Sequence, residues 1–143
     1  MKRILAIAAP LLLAISLTGC PAGTQQDAAK ASLQVAVVMD SAQQAEIAAH
    51  NTHLIPDADH AFIQQQFITL GRADKAANDC ISAAPNKGAV IVCINTAVAT
   101  VDQINQEGGT HLKSDAAKAN FNLALTSIKS ILQSISVTLG GGQ

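Results

Sequence analysis

The sequence predicts an all-α fold, an antiparallel up-down-up-down four-helix bundle, and three observations predict it. Apolar residues recur at alternating spacings of three and four through four segments, the mark of a helix face packed against neighbours. Short stretches rich in Pro, Gly, Asn and His separate those segments, and helices joined by short loops pack as antiparallel neighbours. The apolar residues are mostly Ala, Val, Ile and Leu, with three Phe and no Trp or Tyr. Such a core suits closely packed helices better than a β-sandwich, whose strands favour β-branched and aromatic residues together.

The first segment, about residues 27–49, carries Ala31, Val35, Val38, Ala42, Ala45 and Ala49 on one face. His50 to Pro56 follows as a turn, with Asp57 placed to cap the next helix. The second segment, about residues 57–84, carries Ile63, Phe67, Leu70, Ala77, Ile81 and Ala84, with Asp74 breaking the stripe. That inward-facing Asp74 either pairs with Arg72 or Lys75 or marks an edge of the bundle. Pro85-Asn86-Lys87-Gly88 reads as a tight turn. The third segment, about residues 89–106, carries Val90, Ile94, Ala97, Val101 and Ile104. Its Val- and Ile-rich start permits a strand reading, but the stripe runs on to Ile104, longer than strands usually run. Glu107-Gly108-Gly109-Thr110-His111 reads as the next connection, with Ser114 or Asp115 available as an N-cap. The fourth segment, about residues 115–139, carries Ala117, Phe121, Ala124, Ile128, Ile131 and Ile135, and residues 140–143 read as a disordered tail. The bundle domain is therefore expected over residues 27–139.

The chain has three cysteines. Cys80 and Cys93 lie six residues before Asn86 and six after Lys87. Positions equidistant from the turn of a helical hairpin stand at the same height, so their Cα atoms approach within the roughly 7 Å that a disulfide demands. A Cys80–Cys93 bridge is expected; two buried free thiols on an apolar face are the plainer alternative.

The third cysteine ends a different pattern. Met1-Lys2-Arg3 is a short basic start, and Ile4 to Leu17 is an uncharged apolar run of 14 residues interrupted only by Pro10 and Ser16. That is the length of an export signal and too short for a permanent membrane span. It ends in Leu17-Thr18-Gly19-Cys20. The order of charge, apolar run, small residues and Cys resembles the lipobox signal of bacterial lipoproteins. The resemblance covers only the first twenty residues. It implies a signal peptide over residues 1–19, diacylglycerol on the Cys20 sulfur, palmitate among the acyl chains, and a lipidated tether over residues 20–26. It also implies a location in the cell envelope. Lipoproteins held at the inner membrane typically carry Asp after the lipidated Cys; Pro21 stands here, which points to the outer membrane and a domain facing the periplasm.

The histidines, His50, His53, His60 and His111, all fall at or beside expected turns. In an up-down-up-down bundle the first and third turns emerge at one end, the end away from the anchor. Imidazole and carboxylate suit Zn, Cu or Ni, and His50-x-x-His53 could offer two ligands with His60 or His111 as a third. The bland reading is solvated residues at helix ends, where His50 also complements the α-helix dipole.

Other chemistry has little foothold. Nucleophile-elbow, SxxK, HExxH, GxGxxG and P-loop patterns do not occur, so no catalytic residue or resident cofactor is expected. The chain carries 9 basic and 10 acidic residues. Loss of the signal would remove Lys2 and Arg3, leaving 7 and 10 and a formal charge of −3. A mildly acidic surface poor in aromatics is a poor partner for nucleic acid. The expectation is a non-enzymatic envelope lipoprotein, held to a membrane by lipid, whose helical domain binds or spaces another envelope component. A metal-binding or metal-sensing lipoprotein and a carrier of a small hydrophobic ligand are the alternatives.

Overall fold

A computed structural model describes residues 22–140. The signal peptide, Cys20 and residues 141–143 lie outside the described residues. Four antiparallel helices follow in order: α1 (Ala22–Asn51), α2 (Asp57–Ala83), α3 (Lys87–His111) and α4 (Asp115–Thr138). Helices adjacent in sequence pack on one another, α1 closes the ring against α4, and α2 and α4 touch sparingly across the diagonal. This is the expected four-helix bundle.

The core follows most of the predicted stripe in α2, α3 and α4, though Ala77 and Ile131 are only partly buried while Leu125 and Leu132, outside the stripe, are buried. Ile63, Phe67, Leu70, Val90, Ile94, Val101, Ala117, Phe121 and Ile128 are all buried. α1 departs from expectation at both ends. It starts at Ala22, so residues 22–26, expected in a tether, form its first turns. Thr24, Ala28, Ala31 and Val35 are buried at spacings of four, three and four, which carries the packed stripe back to Thr24. Farther along, Ala45 is exposed while Glu46 is buried.

The helix ends follow local chemistry. α2 stops at Ala83 because Ala84 precedes Pro85 and is pushed into extended backbone. Asn86 caps α3 by accepting from the Ala89 N–H at 3.0 Å, and Ser114 caps α4 by accepting from Ala117 at 3.3 Å. Asp57 is the first residue of α2 rather than its cap; Pro56 occupies the cap position without a side-chain bond. Gly140, expected in the tail, closes α4 instead, with φ +77° and its N–H donated to the Val137 carbonyl at 2.8 Å.

The largest correction concerns α3, which runs through Gly108-Gly109 to His111 instead of stopping at Gln106. Gly108 is buried where α3 crosses Phe121 on α4, and a Cβ there would stand 2.7 Å from the ring. The glycine is a close-approach residue, not a breaker. Phe121 meets Phe67 and Phe62 edge-on at 6.2 and 6.3 Å, so the three Phe form one cluster in the half of the bundle that holds the α1–α2 and α3–α4 turns. At the opposite end Cys80 and Cys93 form the expected disulfide across α2 and α3, with Cα atoms 5.8 Å apart.

Candidate functional site

The end of the bundle formed by the α1–α2 and α3–α4 turns concentrates the polar chemistry, and two buried carboxylates organise it. Asp59, in the first turn of α2, is 2% exposed. It accepts the Ser114 backbone N–H at 2.7 Å and the Lys113 N–H with both oxygens at 3.1 Å. The Ser114 hydroxyl in turn donates to the Leu54 carbonyl at 3.2 Å. One carboxylate thus ties the α3–α4 turn to α2, and Ser114 extends the tie to the α1–α2 turn. That turn closes at His53, whose N–H donates to the His50 carbonyl at 2.9 Å and whose φ of +62° lets the following N–H, that of Leu54, reach the Ala49 carbonyl at 2.9 Å. Buried Ile55 plugs the core beneath it, while Leu54 is 62% exposed.

Glu46 on α1 is 1% exposed. One oxygen lies 2.7 Å from His60 Nδ1, and the other accepts from Gln64 Nε2 at 2.7 Å. Gln43 then donates to Gln64 at 2.9 Å. The polar ladder joins α1 to α2 where an apolar stripe was expected, and it satisfies the carboxylate that burial would otherwise penalise. His60 stacks on His50 with centroids 4.0 Å apart, and His50 Nε2 lies 3.0 Å from the exposed carboxylate of Asp57.

Of the four expected metal ligands the structure brings together two, His50 and His60. His53 is exposed in its turn. His111 is the last residue of α3, because that helix continues past the glycines. Its ring stacks on Phe62 at 5.1 Å and its Nδ1 meets the Glu107 carbonyl at 2.9 Å. Among the described residues no group of three or more His, Cys, Asp or Glu is arranged to hold a metal ion. The expected four-histidine cluster is therefore corrected to a stacked pair with two carboxylates.

Midway along the bundle Asp74 faces α1, as its position in the stripe predicted, but its partners differ from those expected. Ser32 donates to both carboxylate oxygens at 3.1 Å, and Asn78 donates to Ser32 at 2.6 Å, while Lys75 pairs with Asp79. Burial pushes the Asp74 carboxyl above its ordinary value, and the Ser32 hydrogen bond pulls it part of the way back.

The clefts bear on ligand binding. The one between the four helices, lined by Val35, Leu70, Asp74, Val101 and Ile128, holds about 20 Å³. That is room for roughly one water molecule, not an organic ligand. A larger open groove of about 280 Å³ runs between α1 and α4, lined by Val37, Ala42, Ala45, Leu123, Ala124 and Ser127. Val37 and Leu123 there are 65% and 69% exposed. Small side chains floor the groove on the α1 side, and the sequence signal for it was the pair Ala42 and Ala45. No family model, curated protein or solved structure matches the chain.

Proposed function

We propose that the chain is a non-enzymatic envelope lipoprotein, in which lipid on Cys20 holds a rigid helical body against a membrane and that body binds or spaces another envelope component. The observation that carries the reading is the pattern from Met1 to Cys20, an export signal ending in Leu17-Thr18-Gly19-Cys20. The fold is consistent with it. Helix is already formed at Ala22, the first described residue, so a lipid on Cys20 would sit close under the bundle rather than on a long leash. A helix of 30 residues spans about 45 Å, which sets how far the opposite turns would stand from the bilayer. A disulfide suits an oxidising compartment outside the cytosol.

The surface also suits binding rather than burial of a small ligand. The interior cleft is too small for a hydrophobic cargo, whereas the α1/α4 groove exposes large apolar side chains, as interaction faces do. α3 is long and apolar enough to cross a membrane by length and composition, yet Val90, Ile94, Ala97, Val101 and Ile104 are buried against the other helices.

Metabolic labelling with palmitate tests the reading. The chain should incorporate label, fractionate with membranes and lose both properties in Cys20→Ser. An unlabelled, full-length cytosolic product would overturn it.

A further inference from the structure

The Cys80–Cys93 bridge is lopsided. Cys80 is exposed on α2, whereas Cys93 on α3 is 4% exposed and belongs to the core. An open groove of about 130 Å³ runs along the α2–α3 seam and has the bridge in its lining. Its walls are small. Ala73, Ala76 and Ala77 lie seven, four and three residues before Cys80, hence on its face of α2, and Thr96 and Thr100 lie three and seven after Cys93. A cavity of about 150 Å³ admits a benzene ring, so a group of a few heavy atoms fits beside the sulfurs. Among the described residues no charged side chain lines the groove, and the nearby Lys75–Asp79 pair on α2 is closed on itself at 2.6 Å.

We propose that Cys80 is the entry point for thiol–disulfide exchange in this chain, with a slender uncharged thiol as the attacking class and Cys93 as the resolving residue. The incoming thiolate sulfur bonds to Cys80 Sγ and the Cys80–Cys93 bond breaks. Its electron pair leaves on Cys93 Sγ, which takes a proton from water. The products are a mixed disulfide on Cys80 and a thiol at Cys93, so atoms and electrons balance with no further reactant.

The direction of attack follows from access. Exchange depends on which sulfur the thiolate can reach; Cys80 offers its surface to solvent and to the groove, and Cys93 offers almost none. The small walls leave an approach that larger side chains would close, and their neutrality gives an anionic or cationic thiol nothing to hold. Resealing is built into the same geometry. α2 and α3 pack along their length and Asn86 caps α3, so the pairing of the helices does not rest on the bridge alone. Cys93 Sγ is thus kept within reach of Cys80, attacks it in turn and expels the thiol. One cysteine receives and the other restores. The proposal does not depend on the lipid anchor.

The test is a pulse of 2-mercaptoethanol on the oxidised full chain, quenched with acid and mapped by peptic digestion and mass spectrometry, with Cys20 peptides counted apart. Opening should rise in proportion to thiol concentration, and adduct on Cys80 should exceed adduct on Cys93 by more than about tenfold. Cys93→Ala removes the resolving sulfur, so a Cys80 adduct formed from 2-hydroxyethyl disulfide should persist after the reagent is washed away. Ala76→Phe, a change at an exposed position, fills the groove and should slow opening by about fivefold or more at an unchanged melting temperature. An opening rate that levels off with thiol concentration would mean that the bridge is reached only through unfolding. That result, adducts shared equally between Cys80 and Cys93, or opening unaffected by Ala76→Phe would each overturn the proposal, as would a Cys80 adduct lost as fast in Cys93→Ala as in the parent.

Discussion

Removal of the Asp59 carboxylate should open the bundle at the end where the α1–α2 and α3–α4 turns meet. Asp59 accepts from two backbone N–H groups, those of Lys113 and Ser114. Asp59→Ala orphans both, at about 1–3 kcal/mol each for a buried donor left unmade, so the expected loss is about 3 kcal/mol. Asp59→Asn keeps one oxygen for Ser114 at the 2.7 Å contact but turns an amide N–H₂ toward the Lys113 N–H. Its cost should be about half as large, since a neutral acceptor also replaces a charged one. Guanidinium unfolding measures both, and an unchanged slope with a lower midpoint assigns the loss to stability rather than to a changed denatured state. For a body of this size each kcal/mol corresponds to roughly 4 °C, so the melting temperature of the Ala variant should fall by about 12 °C. Hydrogen exchange should show the amides of residues 113 and 114 losing protection first. If Asp59→Ala unfolds within about 0.5 kcal/mol of the parent, or those amides stay protected, the carboxylate is not the tie described.

Three further outcomes follow from the geometry. Gly108→Ala should destabilise by about 1–2 kcal/mol, because the new methyl meets buried Phe121 at 2.7 Å; Gly109→Ala, with open space around it, should instead stabilise by up to about 1 kcal/mol through helix propensity. Reduction of Cys80–Cys93, which closes a loop of 14 residues, should cost about 3 kcal/mol in the chain-entropy treatment, read as a lower melting temperature in dithiothreitol; equal melting with and without reductant would refute that. The raised carboxyl of Asp74 means that its ionised form is disfavoured in the folded state, so this group penalises folding once pH rises above the folded value and releases the penalty as pH falls back toward 3.8. Asp74→Asn should therefore be the more stable protein at neutral pH, with the difference shrinking on acidification, and a difference independent of pH would contradict the burial argument.

The helices α2, α3 and α4 were legible in the sequence because each carries large apolar residues at regular helical spacing, and packing simply honours that period. The disulfide was legible for a related reason, since two positions equidistant from a turn share a height in a hairpin. α1 was less so. Its inner face is mostly alanine, and alanine marks a buried position and an exposed one equally well. Ala45 and Glu46 compete for one place on the stripe, and Glu46 takes it because His60 and Gln64 arrive from α2 to satisfy it. Nothing local to α1 announces those partners. The Gly108-Gly109 pair misled for the opposite reason. Glycine signals a helix end when the backbone must turn and a close contact when another element must approach, and only the position of Phe121 on α4 distinguishes the two. The histidines inherited that error, because the end of α3 decides where His111 stands. The role of Asp59 becomes visible only when the α3–α4 turn is laid across it.

The packing of α1 between α2 and α4 has a mechanical consequence. Any tension entering the bundle through the N-terminal end of α1, with the opposite turns held, acts along the helix axes. α1 is flanked by two antiparallel neighbours over most of its length, so such a load tries to slide it lengthwise past α2 and α4, and many side-chain contacts must yield at the same moment. The same contacts pulled sideways from one end would give way one turn after another. Were lipid on Cys20 to mount the body as proposed, the load would run in its stiffest direction, as in a strut rather than a hinge.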